Sequence, residues 1–201
     1  YWNAWAGGGL QTAGLETSLL RGGPSMKTPG NFRTHMGFET DERKKIVLNV
    51  FGNINRGYED YSKRIYSQIE LTFKPTNYLS LTLNPGISKS YSELQYIDQI
   101  EYNGADRYVF ASIDQRTINT SFRINLNLSP DLTLQYWGQP FIATGKYYDY
   151  KYITYPLADT YHDRFSLYSD DQLRSNDEGF DVDDCGSGML CGLTTVFLFC
   201  W

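Results

Sequence analysis

Hydrophobic and polar positions alternate along much of the chain. Ile118, Thr120, Phe122, Ile124, Leu126 and Leu128 share one parity, and Asn119, Ser121, Arg123, Asn125 and Asn127 share the other. A period of two is that of a strand with two unlike faces. Ser129-Pro130-Asp131 follows as a turn cluster, since proline presets one backbone angle and aspartate bonds nearby backbone. The alternation resumes with Leu132, Leu134 and Tyr136 against Thr133, Gln135 and Gln139. Folding at a three-residue loop pairs Leu128 with Leu132, Leu126 with Leu134, Ile124 with Tyr136, Asn127 with Thr133 and Asn125 with Gln135. Both faces then match, as hairpin register requires.

The pattern recurs. Ile65, Ile69, Leu71 and Phe73 alternate with Tyr66, Gln68, Glu70 and Thr72. After Lys74–Asn77, Leu79, Leu81, Leu83 and Ile87 alternate with Ser80, Thr82 and Asn84. Pairing Phe73 with Leu79 sets Leu71 opposite Leu81 and Glu70 opposite Thr82. A third hairpin runs from Phe32–Phe38 through the charged turn TDERKK to Ile46–Ile54, with Val47 and Phe51 interrupting its polar face. Tyr78–Tyr102 and Arg107–Leu128 read as one long hairpin around EYNGAD. Helical patterning is nearly absent, so the fold class is all-β, an antiparallel up-and-down meander.

The same alternation suits two solvents. A soluble sandwich turns its apolar side inward, whereas a membrane barrel turns it to lipid and its polar side to a lumen. Ile118–Leu128 has about the 9–11 residues of a tilted membrane strand. Short turns near Asp41, Thr76 and Pro130 alternate with longer connections at Asn55–Tyr61, at 101–106 and after Tyr147, the habit of outer-membrane barrels. The expectation is an incomplete portion of such a barrel over residues 1–146. Its lumen candidates are Gln68, Glu70, Thr82, Asn84, Asn119, Arg123, Asn125, Asn127, Gln135 and Gln139. Amides and hydroxyls there suit a hydrated interior or sugar hydroxyls, but the simpler reading, that they hydrate and cross-brace a plugged barrel, comes first.

Composition sharpens this picture. The 201 residues carry a formal charge of −5 and include 17 tyrosines, 11 phenylalanines and 4 tryptophans. Tyrosine fits half-buried sheets and membrane interfaces. No basic stripe marks a nucleic-acid partner. No apolar run reaches 18 residues, so no transmembrane helix is expected. Tyr147–Asp184 holds ten acidic residues, three basic ones and seven tyrosines. The expectation for 147–184 is an exposed acidic loop region, since carboxylates resist burial without partners.

Cys185, Cys191 and Cys200 crowd the end of an otherwise cysteine-free chain, without the spacing of a disulfide framework or a zinc site. The period of two also lapses over 185–201. That tail is read as the product of a reading-frame shift or truncation, against the alternative of a genuine last strand. The chain opens on Tyr1 and is read as a piece of a longer protein.

Catalytic chemistry is sparse. His162 stands beside Asp163, but neighbours on a strand point to opposite faces. His35 reads as a lumen or surface residue. No G-x-S-x-G, H-E-x-x-H or P-loop occurs. Asp181, Asp183 and Gly186 follow calcium-loop spacing, but the twelfth position is Gly192, which supplies no carboxylate. No metal, cofactor or catalytic residue is assigned.

Four stretches carry a family resemblance: LLRGGPSMKTPGN, LQYIDQIEYNGADRYVFASIDQRT, LNLSPDLTLQYWGQPFIATGKYYDYK and ADTYHDRF. From about Leu20 to Phe165 the chain resembles the C-terminal barrel region of the domain of unknown function 5916 family, typical of Bacteroidetes and related phyla. The resemblance implies a β-barrel in the bacterial outer membrane, preceded by a sandwich similar to carbohydrate-binding module family 9. It implies lipid as a partner and glycans as candidate ligands, and no reaction. The functional expectation is a membrane anchor or conduit for a surface glycan-binding module. An outer-membrane enzyme with a loop-borne site, or a soluble carbohydrate-binding sandwich, are the alternatives.

Overall fold

The computed structural model describes residues 1–102, 104–175, 179–182 and 194–197. Its strands are β1 (Asn3–Gln11), β2 (Gly14–Glu16), β3 (Met26–Thr28), β4 (Asn31–Glu39), β5 (Ile46–Gly57), β6 (Ser62–Thr76) and β7 (Leu79–Tyr102). They continue with β8 (Ala105–Ser129), β9 (Leu132–Gly138), β10 (Phe141–Ile153), β11 (Phe165–Leu167), β12 (Leu173–Ser175), β13 (Gly179–Val182) and β14 (Thr194–Phe197). The main sheet has nine strands in the order β1-β4-β5-β6-β7-β8-β10-β11, with β9 paired to β8. The sheet is open, and neighbours follow chain order as in an up-and-down meander.

The alternating hairpins form where the pattern places them. Ile124, Asn125, Leu126 and Asn127 face Tyr136, Gln135, Leu134 and Thr133. Only the turn differs. Ser129, not Leu128, pairs with Leu132, with an irregularity between Asn127 and Ser129, so Pro130-Asp131 is a two-residue turn. An extra residue in one strand absorbs the difference, as a β-bulge does. Between β6 and β7 the polar side chains meet both across and along the diagonal: Gln68 donates to Asn84 at 2.6 Å, the Thr72 and Thr82 hydroxyls lie 3.0 Å apart, and Asn84 donates to Glu70 at 3.3 Å. The long hairpin forms as β7 and β8, and Gly104, at φ +75°, supplies the left-handed backbone that glycine adopts most readily.

The chain divides into two compact units. Unit 1 comprises 1–11, 31–91 and 114–146; unit 2 comprises 12–30, 92–113 and 147–201. In unit 1 the register builds two unlike faces across β4, β5 and β6. Phe38, Val50 and Ile69 form one row and Thr34, Ile54 and Ile65 another. Glu39, Asn49 and Glu70 line up on the opposite face, as do His35, Asn53 and Tyr66. The apolar face is the exposed one. Ile65, Ile69, Leu71 and Phe73 of β6 and Leu83 and Ile87 of β7 are exposed, whereas Tyr66, Gln68, Glu70, Thr72 and Asn84 are half-buried. Val47 and Phe51 lie on the polar face, opposite Thr72 and Gln68.

Unit 2 follows the ordinary rule. Ile100, Val109, Ala111, Tyr150, Tyr168 and Val182 form its core. Val109 to Ile113 of β8 are buried on both faces, and Phe110 meets Tyr96 edge-on at 5.6 Å. The exposed loop expected over 147–184 is corrected here, because Tyr150, Lys151, Tyr161, Arg164, Phe165 and Tyr168 are buried. The tyrosines bury their rings while carboxylates such as Asp159, 97% exposed, stay in water. Of the tail, only four residues are described. Thr194–Phe197 pairs antiparallel with β13 in a three-stranded sheet, as β-branched and aromatic residues favour. The cysteines, residues 185–193 and residues 198–201 lie outside the described residues.

Candidate functional site

The polar face of unit 1 gathers most of the sequence-predicted lumen residues. Tyr66 donates from its hydroxyl to Gln68, whose amide donates to Asn84 at 2.6 Å, and Asn84 in turn donates to Glu70. Asn125 pairs with Gln135 across β8 and β9, and the Thr133 hydroxyl donates to Asn127 at 3.0 Å. Asn119 packs over Gly86, where an added Cβ would meet its amide oxygen at 2.8 Å. Arg123 stands exposed opposite Trp137. Gln139 is exposed beyond the end of β9 and joins none of these contacts. A polar network of this kind braces the strands that carry it.

Both ends of this face are cationic. At the short-turn end, Arg43, Lys44, Lys45 and Lys74 line a cleft of about 370 Å³ with Ser80, Asn125 and Asn127. The Arg43 guanidinium grips Asp41 at 2.9 and 2.7 Å and holds its carboxyl well below the usual carboxylate range. Lys74 donates to the Glu42 carbonyl at 2.9 Å. Toward the opposite end of these strands, Arg33, His35, Phe51, Asn53, Asn55, Arg64 and Tyr66 line a second cleft, of about 390 Å³. Sequence reasoning did not nominate Arg33, Asn53, Asn55 or Arg64. Their alternation was visible, but Val47 and Phe51 on the same parity obscured the polar face of β5.

Unit 2 holds a different polar cluster. Lys151, 1% exposed, donates to the Ser112 hydroxyl at 3.1 Å and lies 3.6 Å from Glu93. Tyr161 donates to Glu93 at 2.7 Å. Burial pushes the Lys151 ammonium below its ordinary pKa, and Glu93 opposes that shift. Arg164 donates to the carbonyls of Ala158, Lys27 and Asp159 at 2.8, 2.9 and 3.0 Å, tying 156–165 to the β3 segment. Lys27 adds an ion pair to Asp159 at 2.6 Å. Ser112 is itself only 1% exposed, so the Ser–Lys contact is a packed polar core and offers no nucleophile to a substrate. His162 lies on a short 3₁₀ turn, Tyr161–Arg164, so the strand argument does not apply to it. Its ring is 5.2 Å from Tyr161 and 6.0 Å from Phe165.

No curated protein and no solved structure matches the chain. The family model of the domain of unknown function (DUF5916) does match, over residues 20–177, and the chain belongs to that family.

Proposed function

We propose that unit 1 is part of the wall of an outer-membrane β-barrel, with its apolar face to lipid and its polar face to a lumen. The direction of burial carries this reading. Ile65, Ile69 and Leu71 of β6 and Leu83 and Ile87 of β7 are exposed while Gln68, Glu70 and Asn84 beside them are half-buried, the reverse of a soluble sheet. Soluble monomers rarely expose contiguous apolar patches beyond a few hundred Å². The nine residues of β4, twelve of β5 and fifteen of β6 suit the 9–11 residues of a tilted crossing. The protein's role on this reading is to anchor, or act as conduit for, a glycan-binding module at the bacterial surface. Unit 2, with its own closed core, is the water-exposed part.

The test uses the full-length protein with Cys185, Cys191 and Cys200 replaced. Single cysteines go in at 65, 69 or 71 and, separately, at 66, 68 or 70. Each carries a fluorophore, and the protein is reconstituted in liposomes with a lipid-restricted spin quencher. Labels at 65, 69 and 71 are expected to be quenched from the lipid, and those at 66, 68 and 70 to escape it. Equal quenching of both sets, or a protein that never enters the bilayer, removes the barrel.

A further inference from the structure

We propose that the cleft on the polar face across β4, β5 and β6 binds an acidic sugar, a uronate whose carboxylate is held by Arg33 and Arg64. The proposal rests on reading this face as a lumen. Register sets Arg33, Asn55 and Arg64 in one row, with His35, Asn53 and Tyr66 in the next. Two guanidinium groups therefore flank an amide, with Cα atoms about 10 Å apart by strand spacing, room for one sugar ring. No carboxylate lines the cleft among the described residues, so the two cations have no acid of their own there. A guanidinium fork matches a planar carboxylate bidentately.

The other lining groups fit hydroxyls. The Asn55 side-chain oxygen is buried and accepts no hydrogen bond, an acceptor without a donor beside two cations. A ligand hydroxyl supplies that donor once a guanidinium turns toward the anion. The Asn53 amide adds a donor and an acceptor. Phe51 and Tyr66, tilted against each other at 6.3 Å, supply the aromatic surface on which sugar rings rest. The neighbouring strand contributes Gly7 opposite His35 and Gly9 opposite Arg33, and an added Cβ at Gly9 would meet nothing within 4 Å. Space beside Arg33 is thus kept open. A volume of about 390 Å³ is of small-molecule size.

The experiment is calorimetric titration of the full-length protein in detergent with tri-galacturonate, with acetate, galactose and galactose 1-phosphate as parallel ligands. Tri-galacturonate is expected to bind, acetate and galactose at least tenfold more weakly. The double exchange R33Q/R64Q is expected to lower affinity at least tenfold. R33K/R64K keeps the charge but not the fork and is expected to weaken binding several-fold in a protein that still folds. Arg56→Gln, on the opposite face and paired with Asp60 at 3.1 Å, should leave it unchanged. Binding that survives R33Q/R64Q, acetate or galactose as good as the uronate, or no uronate binding at all overturns the proposal. Preference for the sugar phosphate overturns the carboxylate assignment. Lipid quenching is read independently, so a barrel that binds no uronate refutes this inference alone.

Discussion

An arginine placed on the exposed face of β6 separates lipid from water by magnitude. Ile69 is the central residue of Ser62–Thr76 and is 45% exposed. Seven residues on either side, at ~3.3 Å each and tilted about 40°, reach roughly 18 Å in depth, slightly beyond the ~15 Å half-thickness of the hydrocarbon core. Ile69 therefore lies near the midplane. Ile46, 60% exposed at the start of β5, pairs with Phe73, four residues or roughly 10 Å in depth from Ile69. Arginine on the lipid face costs about 2–4 kcal/mol at the midplane and about 0–1 near an interface. Ile69→Arg should then cost some 2 kcal/mol more than Ile46→Arg. In water both positions are half-exposed already, and surface substitutions stay within about 0.5 kcal/mol. The assay is reversible denaturant unfolding of the full-length protein in lipid vesicles. If the two exchanges cost the same and each less than about 1 kcal/mol, the face does not meet lipid.

Gly37→Ala should destabilise unit 1 by about 1–3 kcal/mol, because an added Cβ would fall 2.2 Å from the Trp5 indole; Gly52→Ala, whose Cβ meets nothing nearer than 3.6 Å, is the tolerated control in the same unfolding assay. Arg164→Lys should cost about 2–4 kcal/mol, since an ammonium cannot reach three carbonyls at once, and limited proteolysis should then open 154–165 first. Burial lowers the folded-state pKa of Lys151, so between that depressed value and its ordinary pKa of about 10.4 the unfolded chain binds a proton that the folded chain lacks. Stability from this group therefore rises with pH across that window. Lys151→Met should flatten the rise, and an identical pH slope in both proteins would refute it.

Unit 1 was legible because its information is binary. In β6, the 118–128 part of β8 and β9 up to Tyr136, a largely apolar parity stands against a polar one, so register follows from matching faces, and four of the five cross-strand pairs around Pro130 form as matched. The fifth failed because a bulge adds a residue without disturbing either face, and a two-letter pattern cannot record that. β5 was harder. Val47 and Phe51 share a parity with Asn49, Asn53 and Asn55, which hid the row that ends in Arg33 and Arg64.

Unit 2 was misread because charge density stood in for burial. Ten carboxylates in Tyr147–Asp184 suggested a solvated loop, yet exposure belongs to side chains and not to segments. Asp159, Asp163, Asp170 and Asp171 stay in water while Tyr150, Tyr161, Phe165 and Tyr168 turn inward. The partners that make this possible come from elsewhere in the chain. Lys27 reaches Asp159 from 132 positions away, and the Lys27 carbonyl receives Arg164 from 137. Lys151 is buried between Ser112 and Glu93, on β8 and β7. Local composition counts only three cations in that stretch and so undercounts the compensation. An alternating strand displays its solvent preference residue by residue, whereas a tyrosine-rich loop acquires its preference from the strands that close over it.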